Sequence, residues 1–302
     1  MNAHFNATHN NPKRAVTRRD FLRLLKIAGL ELALFSFGGG LYMSKFEPGW
    51  LEVTDIKLKL RRLPKQFAGF RLAQISDLHF GGWMDANRLD NVLSAVFSLS
   101  PDLLAITGDF SLGHVHRTQQ EDRERYTDLV RVLKDYTGGI LTVGIMGNHD
   151  YWVNPPVIRE IIQSGGLIDL NNAVHVLKSG GESLFVAGVD DVWYSQDRLD
   201  LVQAQIPREA CAILLAHEPD YADTSARDGR FDLQISGHSH GGQIVLPFLG
   251  APILPWLGRK YPRGLYRVGD MFQYTNRGVG MIPPNLRFNC RPEITVFTLE
   301  TA

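Results

Sequence analysis

From about Lys57 onward the chain alternates short apolar runs with longer amphipathic stretches. Six runs, Arg71–Ser76, Leu103–Thr107, Leu141–Met146, Leu184–Val189, Ala212–Ala216 and Leu233–Ser236, have the length and β-branched content of strands. Between them, Ala86–Leu99 places apolar residues at 89, 92, 93, 96 and 97, a helical period. Glu121–Tyr136 and Pro155–Gln163 also predict helices, the second with proline in its first turn. Strands alternating with helices predict an α/β fold. In such folds ligands collect beyond the carboxyl ends of strands. Five of the six runs end in potential metal ligands: Asp77, Asp109, Asn148, His217 and His238. No internal repeat and no long linker divides residues 50–302, so one domain is expected there. Gln243–Arg263, rich in proline and leucine, predicts irregular structure.

The first fifty residues follow a different pattern. Residues 1–26 carry six cations (Lys13, Arg14, Arg18, Arg19, Arg23 and Lys26) against Asp20, a net +5. The whole chain of 302 residues has a formal net charge of zero, so the body is −5. An acidic body argues against a nucleic-acid binder, which shows a basic face. Thr17-Arg18-Arg19-Asp20-Phe21-Leu22-Arg23 resembles the twin-arginine export signal. The apolar stretch Ile27–Ser44 follows it, interrupted by Glu31 and four glycines. The expectation is a leader over residues 1–45, cleaved or kept as a membrane anchor, and a body over 46–302 outside the cytoplasmic membrane of a bacterium. Twin-arginine export machinery and membrane contact are the partners this implies. The alternative is a basic amphipathic helix lying on a surface. Two cysteines exclude a disulfide scaffold or a cysteine-based zinc site.

The strand-end motifs carry the chemistry. Asp77 and His79 stand two apart in an extended segment, so both can reach one metal. Asp109 follows Gly108, and its two carboxylate oxygens can bridge two cations. In Gly147-Asn148-His149-Asp150 the Asn148 amide oxygen suits a metal and His149 faces substrate. Asp150 is placed to orient or charge-stabilise that imidazole. His217 ends another run, and Gly237-His238-Ser239-His240-Gly241-Gly242-Gln243 ends the next with two histidines. Seven oxygen and nitrogen donors without a thiolate exceed the needs of one ion and suit two divalent metals, Mn, Fe or Zn.

In this order the motifs resemble those of the calcineurin-like metallophosphoesterase superfamily over roughly residues 55–300. The His240-Gly241-Gly242-Gln243 ending, Arg277-Gly278-Val279-Gly280, Glu47-Pro48-Gly49-Trp50 and the twin-arginine leader resemble its bacterial exported phosphodiesterase branch. Some relatives of that branch are UDP-2,3-diacylglucosamine pyrophosphatases. The resemblance implies a four-layer αββα sandwich, two mixed sheets flanked by helices. It implies a first metal on Asp77, His79, Asp109 and His240, and a second on Asp109, Asn148, His217 and His238. It further implies that a metal-bound hydroxide attacks phosphorus in line while His149 protonates the leaving oxygen or stabilises the phosphorane oxygens. The expected substrate is a phosphodiester, or a nucleotide–lipid pyrophosphate.

Other residues remain open at this point. His114 and His116 lie in a polar loop after Asp109. Arg259, Lys260, Arg263, Arg277, Arg287 and Arg291 are candidates for phosphate contacts, Arg277 foremost. The apolar segment 246–257 suits an acyl chain, a bilayer, or packing over the sandwich. Cys211 precedes a strand and reads as a small core hydrophobe. The rival functions are a metal-binding protein without catalysis and a nuclease.

Overall fold

The computed structural model describes Arg18, Lys26, residues 38–113 and residues 119–302. The chain divides into two units, Met1–Tyr42 and Met43–Ala302, and among the described residues every strand lies in the second. Strands β1 (Glu52–Leu60), β2 (Arg71–Ile75), β3 (Leu103–Thr107), β4 (Leu141–Ile145), β5 (Ile168–Asp169) and β12 (Glu293–Thr301) form one sheet, in the order β1-β12-β2-β3-β4-β5. Strands β6 (Ala173–Ser179), β7 (Glu182–Gly188), β8 (Cys211–Leu215), β9 (Leu233–Ser236), β10 (Gly264–Val268) and β11 (Met271–Thr275) form the other, in the order β10-β11-β9-β8-β7-β6. Both sheets are mixed. Their centres are parallel, and antiparallel pairs join β12 to β2, β6 to β7 and β10 to β11.

The central strands are mostly apolar because both of their faces are covered. Leu72, Leu103, Ala105 and Val143 face Ile213, Leu215, Leu233 and Ile235 across the gap between the sheets. The intervening residues Ala73, Ile75, Leu104 and Ile106 pack outward on helices α1 (Ala86–Ser98), α2 (Gln119–Thr137) and α4 (Pro155–Ser164). On the far side Ala212 and Leu214 pack on Val202 of α5 (Leu199–Ala204) and Ala222 of α6 (Ala222–Ser225). The result is the four-layer α/β sandwich expected. Helix α1 begins where the Asp85 carboxylate accepts the Arg88 amide at 2.9 Å, an N-cap. One polar side chain crosses the inter-sheet core near the site. The Gln74 amide donates to Thr107 Oγ1 (3.0 Å) and to the Ser236 carbonyl (2.9 Å), tying β2 and β3 to β9.

All six strand runs read from the sequence are strands, and the three helices are helices. The expected placement, exported across or anchored to a membrane, is corrected. Among the described residues no helix is long and apolar enough to cross a membrane. The sequence supplies a physical reason: Glu31 and four glycines break the Ile27–Ser44 stretch, and a charge near a helix centre costs about 2.5–3.5 kcal/mol on insertion. Apart from Arg18, the twin-arginine pattern at 17–23 lies outside the described residues, as do residues 27–37, His114 and His116.

The Glu47-Pro48-Gly49-Trp50 motif has a structural role. Glu47 is buried and accepts the Cys290 amide at 2.5 Å, while Trp50 lies 3.5 Å beneath the Arg291 guanidinium.

Candidate metal centre

Each site loop leaves its strand by a sharp reversal. Twelve non-glycine residues among those described have positive φ, and five are Asp77, Asp109, His79, His238 and His240. That conformation is strained for a side-chain-bearing residue, and such strain concentrates where function demands a geometry. The loops brace one another through their backbones. The Asp77 amide donates to the Gly108 carbonyl (3.0 Å), His79 to Asp109 (2.9 Å) and Gly237 to His217 (3.0 Å). Gly108, at φ 99°, has no room for a Cβ, which would lie 2.5 Å from His217 Nδ1.

These reversals bring Asp77, His79, Asp109, Asn148, His217, His238 and His240 together, all buried. Asp77, His79 and His240 offer donor atoms within 4.8 Å of one another, as do Asp77, Asp109 and His217. Asp109 Oδ2 lies 3.2 Å from His217 Nε2 on one side and 3.6 Å from His79 Nε2 on the other. Its Oδ1 accepts the His149 amide at 2.9 Å. That amide opens α3 (Asn148–Val153), the short helix after β4.

The tautomers follow from the outer partners. His217 Nδ1 donates to the Thr107 carbonyl (2.7 Å), so Nε2 turns its lone pair toward Asp109. His238 Nε2 donates to the Trp256 carbonyl (2.8 Å), leaving Nδ1 against Asn148 Oδ1 at 2.9 Å. His79 Nδ1 faces the Ser111 carbonyl at 3.3 Å, and its Nε2 points at His240 Nε2, 2.9 Å away. Lone pairs thus converge on carboxylate and amide oxygens, and His240 Nδ1 and His217 Nε2 have no hydrogen-bond partner. Packing acceptors against acceptors in a buried site is costly unless a cation lies among them. The donor set therefore fits two divalent metals.

The electrostatics agree. Burial, reinforced by His149, lowers His79 to about 3. Burial also lowers His238 and His240, aided by His217 and His79 respectively. All three present neutral imidazoles, the form that binds metal. Burial, offset in part by His217 but reinforced by Asp109, lifts Asp77 to about 7. For Asp109, burial acts upward but the His217 and His149 charges outweigh it, and its carboxyl falls well below the usual range. His217 is raised well above its usual value, because Asp109 overcomes the effect of burial.

His149 is half-buried beside the ligands, with a ring nitrogen within 4.8 Å of donor atoms of His79 and Asp109. Its Nδ1 donates to the Leu112 carbonyl at 2.7 Å, so Nε2 is the free nitrogen. Its ring lies between His79 (centroids 4.6 Å apart) and Trp152 (4.0 Å).

Two expectations are corrected. Asp150 does not touch the His149 ring. Its carboxylate accepts the Phe110 (3.2 Å), Ser111 (3.0 Å) and Gly147 (3.0 Å) amides, so it ties the Asp109 loop to the Asn148 loop. Burial and the nearby Asp109 raise it to about 7. The Arg277 guanidinium, read as a phosphate contact, is held by two carboxylates. Its Nε donates to Glu293 at 2.8 Å and its Nη1 to Glu52 at 3.1 Å. The neighbouring Gly278-Val279-Gly280 passes beneath Asp77, with the Val279 amide on Ser76 (3.0 Å) and the Gly280 amide on Asp77 (2.8 Å). Arg287 is fully buried and donates to four carbonyls, those of Arg277, Gly278, Gly280 and Cys290.

A cavity of about 330 Å³ opens over Asp109, Asn148, His149 and His238. Trp152 and Trp193 flank it, and Pro252, Ile253 and Pro255 of the apolar segment form one wall. Phe248 and Leu249 of the same segment project into solvent instead. No local pattern marks the tryptophans or Ile282, Pro283 and Pro284 as walls, because they converge from distant loops. Glu218 is buried against Asp191, whose carboxyl is pushed up to about 10 by burial and by the Glu218 charge.

The chain is similar to the uncharacterized metallophosphoesterase YkuE of Bacillus subtilis, at 32% identity over 95% of this chain and 99% of that one. It is 31% identical to phosphodiesterase YaeI of Escherichia coli, over 94% of this chain and 99% of that one. The uncharacterized metallophosphoesterase Cj0846 of Campylobacter jejuni is 27% identical over 95% of this chain and 73% of its own length. Residues 70–242 match the calcineurin-like phosphoesterase family. With that match, the relatives aligned along almost its whole length and the buried cluster of aspartates and histidines, the chain belongs to the calcineurin-like phosphoesterase family.

Proposed function

We propose that the protein is a phosphodiesterase that hydrolyses its substrate at a dinuclear metal centre. Asp77, His79, Asp109 and His240 would hold one ion, and Asp109, Asn148, His217 and His238 the other. The observation that carries this reading is the position of Asp109, whose Oδ2 lies between the His79 and His217 nitrogens. Divalent ions bound there supply Lewis-acid charge to the phosphoryl oxygens and make water a nucleophile at neutral pH.

The protein's own groups do the rest. The His149 amide and the bracing loops fix the Asp109 carboxylate before substrate arrives. The Leu112 carbonyl fixes the His149 ring, leaving Nε2 to hand a proton to the departing ester oxygen. Asp150 holds the two loops at their spacing. The cavity walls exclude water from the rest of the substrate. The name of the Escherichia coli relative, a phosphodiesterase, supports the diester.

A second reading is a nucleotide–lipid pyrophosphate, which the apolar cavity wall favours through the acyl chains. The test is turnover of bis-p-nitrophenyl phosphate and of UDP-2,3-diacylglucosamine with added Mn²⁺, each with and without chelator. Metal-dependent release of nitrophenol supports the diester. UMP release from the second compound alone would replace it with the pyrophosphate.

A further inference from the structure

Resting on that phosphodiesterase reading, we infer that one ester arm of the substrate is an uncharged apolar group, and that Ile253 and Ile282 grip it. Hydrolysis then breaks the P–O bond to one ester, joins the water oxygen to phosphorus and returns a proton to the departing alcohol.

The lining of the cavity over the metal ligands contains a polar set and an apolar set of residues. Asp109, Asn148, His149 and His238 belong to the first. Ile244, Pro252, Ile253, Ile282, Pro283 and Pro284 form the second. Its volume of about 330 Å³ falls within the range of small-ligand sites, which are typically apolar with a few convergent polar groups. No lysine or arginine lines it among the described residues. The Arg277 and Arg287 guanidiniums, the cations nearest in sequence to Ile282, are both committed, Arg277 to carboxylates and Arg287 to backbone carbonyls. Among the described residues, a second phosphoryl group or a carboxylate on the arm would meet no lysine or arginine in the cavity lining. A hydrocarbon arm would instead cover Ile253, which stands 80% exposed.

The wall is held in place. Gln243 ends the His238–Gln243 motif in a left-handed conformation, φ 58°, and is buried. Its amide nitrogen donates to the Ile282 and Pro284 carbonyls, both at 3.0 Å, and its amide oxygen accepts the Ile282 amide at 3.1 Å. One side chain thus connects the loop that bears His238 and His240 to the loop that bears the apolar wall. This is a built surface, not a stretch of loop left without packing. Gln243 is a positioning residue: it sets the distance between the reacting phosphorus and the arm.

The test uses the Mn²⁺-loaded full chain and the inhibitor series methyl, butyl and hexyl phosphate, competing with bis-p-nitrophenyl phosphate. Each fully buried methylene is worth about fourfold in affinity. The inhibition constant should fall at least about tenfold from methyl to butyl phosphate, and further to hexyl. Calorimetry provides a readout independent of turnover: the heat-capacity change on binding should grow more negative with chain length. Ile253→Asn, a change at an exposed position that the fold tolerates, should flatten both trends, and methyl phosphate, with no arm to lose, should bind as before. Gln243→Ala should raise KM for a hexyl diester more than it changes kcat. Inhibition constants that do not depend on chain length would overturn the inference. So would a trend that persists unchanged in Ile253→Asn combined with Ile282→Asn. If no diester is hydrolysed with any metal, the phosphodiesterase reading itself fails, which is a different outcome from hydrolysis without arm preference.

Discussion

Gly147→Ala places one carbon into the centre of the metal site while leaving the backbone free to fold. Gly147 has φ −124° and ψ −178°, an extended conformation that alanine adopts without strain. Its Cβ would press on Asp109 Oδ1 and lie 2.7 Å from His217 Nε2 and Cδ2. Side chains do not approach so closely, so at least one ligand must move by several tenths of an ångström. Neither has anywhere to go. His217 is pinned by the Thr107 carbonyl at 2.7 Å, Asp109 by the His149 amide at 2.9 Å, and both are buried. Metal sites tolerate about 0.2 Å in ligand distances. Metal affinity should therefore fall about 10–100-fold, the usual cost of disturbing the groups that orient ligands. The fold should lose about 1–3 kcal/mol from overpacking. The assay is Mn²⁺ titration of metal-free protein by calorimetry, beside thermal unfolding of the same samples. Gly138→Ala, at a turn with open space around its Cβ, is the control and should bind metal normally. Wild-type Mn²⁺ affinity in Gly147→Ala would refute the reasoning, since it would mean that Asp109 and His217 are not held where metal needs them.

Three further outcomes follow from the same geometry. His149→Ala should retain both metals yet lower kcat by about 10²–10⁴, the usual contribution of a proton donor; metal loss or unchanged turnover would remove that role. Metal binding displaces the proton that Asp77 keeps up to about 7, so Mn²⁺ affinity should climb as pH rises through 7, with proton release detectable in buffers of different ionisation heat. Proton-neutral binding at pH 6 would contradict this. Burial alone would raise Glu293, but the Arg277 hydrogen bonds and charge outweigh it and hold its carboxyl below the usual range. Their stabilisation is present above the unfolded value of about 4.3 and is lost as pH falls through the lower folded value. Arg277→Ala should cost about 3–5 kcal/mol at pH 7, and the gap should close in acid. A gap that does not change with pH, measured by denaturant unfolding, would speak against a buried ion pair.

The parts of this structure that the sequence revealed share one property: their signal is local. β2, β3, β4, β8 and β9 are buried on both faces and read as mostly apolar runs, and each meets its ligand within a few residues of its end. β1 was harder, because only one side of Glu52–Leu60 is covered; Ile56, Leu58 and Leu60 alternate with Lys57 and Lys59. β12 mixes Ile294, Val296, Phe297 and Leu299 with two glutamates and three threonines, and it ends in no ligand. Arg277 shows the opposite failure. Its neighbours resemble a family motif, but its partners Glu293 and Glu52 lie 16 and 225 residues away, and only the fold reveals that its charge is used. Asp150 adjoins His149 in sequence, yet its side chain turns to amides of another loop, because a helix turn separates adjacent side chains. The cavity wall was invisible for the same reason, since Trp152, Ile253 and Ile282 meet only after the two sheets are stacked.

The central claim is a pair of metals shared by Asp109, and the most direct measurement is metal stoichiometry. Metal-free protein is titrated with Mn²⁺ while bound metal and hydrolysis of bis-p-nitrophenyl phosphate are followed in the same samples, for wild type and Asp109→Ala. The account predicts two ions per wild-type chain, activity that requires both, and a failure of Asp109→Ala to fill either position at the same Mn²⁺ concentration. One ion per chain, or undiminished hydrolysis in excess chelator, would contradict it.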